Sequence, residues 1–335
     1  MTGASARSGL QLARAKHALS AAGLDVDVPL IRANSVTNEV WLTPEVAIRV
    51  NRRLDQRLKR EALLAPMLPP EVNYPDVIKY GAGSGFDFLI QRRRPGIVLS
   101  RAWPTMSPSQ RRLAVRQLTH MLRALHETPC SLSIPPLDDA PQMISNASDA
   151  GRVEMLLAAL DKARSLAYVD PDLFATLISY VKATANVLEP YSVATFVHGD
   201  LTFENVLWDG DEVTALIDFE WARGAPPDLE LDVLLRFCAY PFLHVAADYE
   251  KQTKSADYHD VPFWIQEDYP ALFDAPRALD RLRLYSIAYD VRELLADPPA
   301  APVRELSPFH PLRRLTRTIG QRSHLDAFAH PEDRL

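Results

Sequence analysis

The stretch VHGDLTFENVLWDGDEVTALID, Val197 to Asp218, constrains this chain more than any other. It holds two short apolar runs, NVLW and VTALI, separated by DGDE. That spacing predicts a β-hairpin, because Asp209 and Gly210 supply the chemistry of a tight turn. A hairpin returns the chain to its own start, so Asn205 at the entry and Asp218 at the exit should lie close together, with Asp200 on the loop leading in. Polar groups set among apolar residues need a partner or a task. His198, Asp200 and Asn205 therefore mark a candidate site.

At 335 residues, 47% of them hydrophobic, the chain can bury a sizeable core and is long enough for two bodies. Cys130 and Cys238 stand far apart in no metal-ligand spacing, which argues against both a disulfide framework and a zinc site. The N-terminal MTGASARSGLQLARAKHALSAAGL interleaves Arg and Lys with its apolar residues and builds no signal-peptide core. No apolar run approaches the roughly 20 residues of a membrane span. The expectation is a soluble, cytoplasmic protein without a membrane partner; the oligomeric state is left open.

The chain divides near Arg94 to Gly96. Before that point EVWLT, VAIRV and FDFLIQ look like strands, and LDQRLKREALLAPML sets Leu54, Leu58, Ala62 and Leu63 on one helical face. After it, SPSQRRLAVRQLTHMLRALHETP places Leu118, Met121, Leu122 and Leu125 at helical spacing and stops at Pro129. Arg152 to Ala163, Leu173 to Leu188, Leu229 to Tyr240 and Ala278 to Leu295 also look helical, whereas Ser131 to Ser148 and Asp297 to Pro311 look like loops. The fold class is α+β.

Charge is uneven around a net −6: Arg32 to Arg123 is basic, and His198 to Asp297 is acidic. No Cys/His finger or RNA-recognition aromatic motif accompanies the basic runs, so nucleic acid is not an expected partner.

An Asn oxygen and an Asp carboxylate converging at a hairpin mouth offer hard ligands to Mg²⁺, and a further carboxylate can accept a hydroxyl proton. His198-Gly199-Asp200, then Asn205, then Asp218 after a hairpin has the order and spacing of a kinase catalytic loop and its metal-binding Asp. HGDLTFENVLW followed by ALIDFEWARGAPPDLELD resembles the aminoglycoside phosphotransferase and choline kinase-like family, with Gly199 where protein kinases carry Arg. The resemblance runs back through VAIRV, REALL, FLIQRRRPG and LTHMLRALHETP and covers most of Asn34 to Phe237. It is weakest in Ser131 to Tyr191 and after Tyr240, where the family varies to suit its acceptor.

The resemblance implies a bilobal protein-kinase-like fold: a small β-rich N-lobe over 1–94 that binds nucleotide, and a larger, mainly helical C-lobe over 95–335 with catalytic loop, metal site and acceptor-binding helices. Asp200 would be the catalytic base, Asn205 and Asp218 the Mg²⁺ ligands, and His198 a brace behind the loop. Arg49 would meet the nucleotide phosphates, held by Glu61. The phosphate-covering RANSVTNEVW has no glycine, so Ser35, Thr37 and Asn38 would have to cap the phosphates. The edge of the base, in ATP or GTP, would meet backbone near Gln91, Arg92 and Arg93.

The implied reaction is Mg²⁺-dependent phosphoryl transfer from ATP or GTP to a hydroxyl of a small molecule, with an antibiotic-resistance kinase as the leading version. A metabolic kinase for choline, a sugar or a related alcohol is the alternative, and a catalytically weak nucleotide-binding regulator is a third. The acidic balance of the C-terminal half suggests a cationic acceptor. Glu220, Asp228, Asp232, Tyr258 and Trp264 are the candidates to face it, with Glu204, Glu230, Asp257, Asp260, Glu267 and Asp268 in the same acidic stretch.

Overall fold

A computed structural model describes residues 2–53, 55–130, 151–189 and 194–325. Its N-terminal body is a five-stranded antiparallel sheet of β1 (Ile31–Ala33), β2 (Glu39–Leu42), β3 (Val46–Asn51), β4 (Val77–Gly83) and β5 (Phe86–Arg92), in the order β1-β2-β3-β5-β4. Alternation along β3 sorts its side chains to two faces. Ile48 and Val50 join Phe88 and Ile90 in a core covered by Ala15, Ala18 and Leu19 of helix α1 (Thr2–Ala21). Ala47 and Arg49, one residue out of phase, point to the opposite face, where α2 (Arg57–Leu64) lies.

The strands expected from EVWLT, VAIRV and FDFLIQ are β2, β3 and β5. Three elements were not expected: α1, whose apolar residues are broken up by Arg, Lys and His, and the flanking strands β1 and β4. The expected apolar face of α2 is also shifted. Leu63 is 53% exposed, and Leu58, Glu61 and Leu64 face inward, because the helix turns Glu61 toward Arg49. Leu54 lies outside the described residues.

The C-terminal body begins with β6 (Ile97–Val98) and the short α3 (Leu99–Ala102). Next comes α4 (Pro108–Glu127), started by a capping box between Ser107 and Gln110. Its Leu118, Met121, Leu122 and Leu125 are buried, as their spacing predicts. They pack in one large core that includes Phe174 and Leu177 of α6 (Pro171–Thr184), which follows α5 (Gly151–Arg164).

The strand β7 (Phe196–Val197) leads to the hairpin of β8 (Val206–Trp208) and β9 (Val213–Leu216), whose outer strand is β6. Asp209 accepts the N–H groups of Asp211 and Glu212, and Gly210 has φ +118°, which closes the turn. At the other end Ile217 donates its N–H to the Asn205 carbonyl at 3.0 Å, so the hairpin mouth holds Asn205 against the approach to Asp218. The chain continues through β10 (Arg223–Gly224), which pairs with β7, to α7 (Glu230–Ala239), α8 (Val261–Asp268), α9 (Ala278–Ala296) and α10 (Pro311–Ile319).

Helices α5, α6, α7 and α9 cover the segments expected to be helical, whereas α3, α8 and α10 were not expected. The loop expected over Ser131 to Ser148 lies outside the described residues. The expected division at Arg94 to Gly96 falls between β5 and β6. Among the described residues no helix is long and apolar enough to cross a membrane.

Candidate active site

The loop that leaves β7 is shaped by what surrounds it. Gly199 has φ +78°, and a Cβ there would lie 2.6 Å from the Trp221 carbonyl oxygen, so only glycine fits. His198 is fully buried. Its Nε2 bonds the Ile217 carbonyl at 3.0 Å, its Nδ1 accepts the Asp200 N–H at 3.3 Å, and its ring packs on Phe219. These contacts tie the loop to the segment that carries Asp218. From behind, the Glu230 carboxylate accepts the N–H groups of His198 and Gly199. Glu230 was expected only as one of the acidic residues of this half; no local sequence signal shows a carboxylate reaching back to bond the loop.

Asn205 donates its side-chain N–H to the Asp200 carbonyl at 2.8 Å, with the Asp200 carboxylate 3.5 Å away. The Asn205 side-chain oxygen is left for another partner. Asp218 takes a left-handed conformation, φ +64°, and its carboxylate is partly open to solvent. Asp200, Asn205 and Asp218 all line one cavity of about 1200 Å³. Burial first, and then the charge of Asp218, push the Asp200 carboxyl up to about 7, against the pull of Arg292 and the Asn205 hydrogen bond. A carboxyl near neutrality is suited to accept a proton from a hydroxyl.

Arg49 projects from β3 into the same cavity and donates to Glu61 at 2.5 Å, to Asp218, and to Glu220 at 3.3 Å. Glu61 in turn accepts the Tyr74 hydroxyl at 2.7 Å and the Phe219 N–H at 3.1 Å, so one helix residue fixes both the cation and the segment after Asp218. Carboxylate oxygens of Glu61, Asp218 and Glu220 lie within 4.8 Å of one another. Burial, and then Asp218, raise Glu220 to about 8 in spite of Arg49. Glu61 is taken up by Arg49, Tyr74 and Phe219, so the hard oxygen donors that line the cavity itself are those of Asn205 and Asp218, the kind that a Mg²⁺ ion prefers.

The segment from Ser35 to Asn38 lines the cavity too. The Ser35 hydroxyl donates to the Asn38 carbonyl, and the Asn38 amide donates to Glu220 at 3.2 Å. At the end of β5, where the base edge was expected to meet backbone, two of the N–H groups are already engaged. The Arg92 N–H is taken by the Asp76 carbonyl and the Arg93 N–H by the Glu45 carbonyl, because both continue the sheet ladders. The side-chain amide of Gln91 is buried there, and its nitrogen has no hydrogen-bond partner among the described residues.

The residues expected to face an acceptor do not line the cavity. Glu220 belongs to the Arg49 network. Asp228 makes a two-pronged pair with Arg281 at 2.6 and 3.0 Å and accepts the Tyr285 hydroxyl, so it ties internal elements together. Asp232 is buried 3.7 Å from Arg236. Tyr258 is a core residue stacked on Trp103, and Trp264 is half-buried on the same core near Arg112. Glu267 and Asp268 are paired with Arg112. The acidic run is thus largely consumed by internal and surface ion pairs. Among the described residues, eleven arginines and four carboxylates line the cavity.

The model of the phosphotransferase enzyme family matches residues 43–264. No curated protein matches the sequence. Among solved structures, the ADP-bound aminoglycoside phosphotransferase APH(2'')-Ib is similar with a TM-score of 0.59 and 14% identity, over 92% of this chain and 97% of that one. A thermostable mutant of aminoglycoside phosphotransferase APH(4)-Ia, in ternary complex with ADP and hygromycin B, gives 0.56 and 17%, over 95% and 98%. The GDP complex of aminoglycoside 2'-phosphotransferase-IIIa gives 0.54 and 15%, over 89% and 93%. The sheet-and-helix architecture described above is therefore the bilobal kinase-like fold of these enzymes.

Proposed function

The chain belongs to the phosphotransferase enzyme family, and from that premise we propose that it transfers the γ-phosphoryl group of a nucleoside triphosphate, ATP or GTP, to a hydroxyl of a small molecule. The observation that carries this reading is the convergence of Asp200, Asn205 and Asp218 on one cavity, with Arg49 bonded to Asp218. In the transfer, the acceptor hydroxyl oxygen bonds the γ-phosphorus as the bond from that phosphorus to the β–γ bridging oxygen breaks. The hydroxyl proton passes to Asp200, and the nucleoside diphosphate leaves.

Asn205 and Asp218, with Glu220 close by, would hold Mg²⁺, which neutralises phosphate charge as the bond breaks. Arg49 neutralises further phosphate charge from the sheet, and Glu61 keeps its guanidinium in place. Ser35, Thr37 and Asn38 cover the phosphates from the loop after β1. Gln91 offers a side-chain amide to the base, and Arg92 and Arg93 flank it. His198 and Glu230 hold the loop in which Asp200 sits. Positioning and charge neutralisation supply most of the rate, as a loose phosphoryl-transfer transition state requires.

An aminoglycoside acceptor draws its support from the named structures, and an antibiotic-resistance role in the cytoplasm would follow from such an acceptor. A metabolic hydroxyl compound is the second reading, favoured by the arginines of the cavity. Transfer assayed with ATP and with GTP, with Mg²⁺ and with a chelator, tests the reaction. Mg²⁺-dependent product that vanishes in Asp200→Asn supports it; product independent of Asp200 rejects it.

A further inference from the structure

The helical wall of the cavity has a chemistry of its own. It is contributed mainly by α9, with Tyr289, Arg292 and Glu293, and by Arg236 and Arg314. Arg236 and Arg314 share Asp290 behind the wall, at 2.7 and 2.8 Å, so their charge is answered inside the protein. Arg292 is placed differently. Its guanidinium lies 5.0 Å from the ring centroid of Trp221 and 4.8 Å from that of Tyr289, so two aromatic faces fix it. Its carboxylate partner among the described residues is the adjacent Glu293, at 3.3 Å, and that carboxylate is also held by Arg314 at 3.2 Å. The Arg292 side chain keeps 24% of its surface exposed. Its charge lowers the carboxyls of both Asp200 and Asp232 against the effect of burial, without an ion pair to either among the described residues.

The carboxylates of the cavity are few and occupied. Asp200 and Asp218 are needed for transfer, Glu204 accepts the Ser100 hydroxyl, and Glu293 is paired with arginine. A polycationic acceptor would meet a fixed guanidinium in the cavity that Asp200 lines and find little negative charge to hold it. A guanidinium held rigid, half-desolvated and thinly paired is suited to bind a carboxylate or phosphate through its planar fork.

We propose that Arg292, held against Trp221 and Tyr289 in the wall of the cavity that Asp200 also lines, binds an anionic group of the acceptor. The acceptor class is then a hydroxyl compound that carries a carboxylate or a phosphate monoester. This rests on the phosphotransferase reading above and specifies its substrate.

The test is a panel assayed for phosphoryl transfer with Mg²⁺ and ATP or GTP: glycerol, D-glycerate, glycerol 3-phosphate, glucose, gluconate, glucose 6-phosphate, hygromycin B and streptomycin. The anionic members are expected to have the highest kcat/KM, and the carboxylate and phosphate arms separate the two sources of charge. For the best of them, Arg292→Gln raises the acceptor KM by about tenfold or more, while the KM for the nucleotide stays at the wild-type value. Arg292→Lys, which keeps the charge and loses the fork, recovers part of that loss. A folding defect would instead lower the apparent kcat and leave both KM values where they are, because KM does not depend on the fraction of enzyme that is active. Preference for neutral compounds or for the aminoglycosides, with KM unmoved in Arg292→Gln, overturns this inference and leaves the transfer reaction standing. Absence of transfer to every member, with nucleotide turnover equal in wild type and Asp200→Asn, overturns both.

Discussion

The carboxylate of Glu230, at the head of α7, accepts the backbone N–H of Gly199 at 2.9 Å and that of its neighbour His198 at 2.6 Å. One buried side chain therefore fixes the two residues that precede Asp200. Burial would raise the Glu230 carboxyl, but His126, His198 and the Gly199 N–H more than offset it and hold it below the ordinary range. A carboxyl depressed in the folded state stabilises above its unfolded value, about pH 4, and that contribution is lost as pH falls through the folded value. Glu230→Gln should cost about 1–3 kcal/mol at neutral pH, since one N–H then faces an amide NH₂. Urea denaturation from pH 7 downward checks this: the gap between variant and wild type should close in acid, and a gap constant with pH would refute the assignment.

Arg49 stands among Glu61, Asp218 and Glu220, all within ion-pair distance. Removing it leaves three carboxylates facing each other. Arg49→Ala should lower stability by about 3–5 kcal/mol in the absence of divalent cations and raise the nucleotide KM. Adding Glu61→Ala should cost less than the sum of the two single changes, with a coupling of about 0.5–3 kcal/mol. A double-mutant cycle in chelator, followed by KM for ATP and GTP, measures both. Additive losses would mean that the pair does not act as a unit.

Asp200 makes the opposite contribution to stability from Glu230. Its carboxyl is raised to about 7 in the folded chain, so the fold holds a proton there that the unfolded chain has released. Stability from this group is fully present below about pH 4 and is lost as pH rises toward 7. In metal-free protein, Asp200→Asn should therefore melt above wild type, by a margin that grows between pH 5 and pH 8. Thermal midpoints in chelator across that range are the readout. A variant that melts at the wild-type temperature throughout would show that Asp200 carries no buried charge.

The hairpin and its polar residues were legible because they are local: turn chemistry and strand length fix Asn205 against Asp218 whatever lies around them. The pairing of Arg49 with Glu61 was implied by the family resemblance rather than by the local pattern, and the two side chains meet at 2.5 Å. Helical phase was less secure. Leu63 and Leu64 differ by one position, about 100° around the helix, and the phase that bonds Glu61 to Arg49 also packs Leu64 into the large core and leaves Leu63 exposed. The acceptor side was not legible. Asp228 looks free in the sequence and is paired with Arg281, which arrives from α9. Arg292 reads as an ordinary helix residue until Trp221, from the segment after Asp218, closes over it. Charge runs give the sign of a region, but tertiary pairing decides which charges reach the cleft.

The most direct test of the account compares wild type with Asp200→Asn by following γ-labelled ATP or GTP with Mg²⁺ and the acceptor panel, with nucleotide affinity measured alongside by calorimetry. Wild type should form a phosphorylated acceptor. In Asp200→Asn, turnover should fall by about a hundredfold or more, because the group that takes the hydroxyl proton is gone, while Mg²⁺-nucleotide affinity stays at the wild-type level. Phosphorylated acceptor formed by Asp200→Asn at the wild-type rate would contradict the assignment of Asp200.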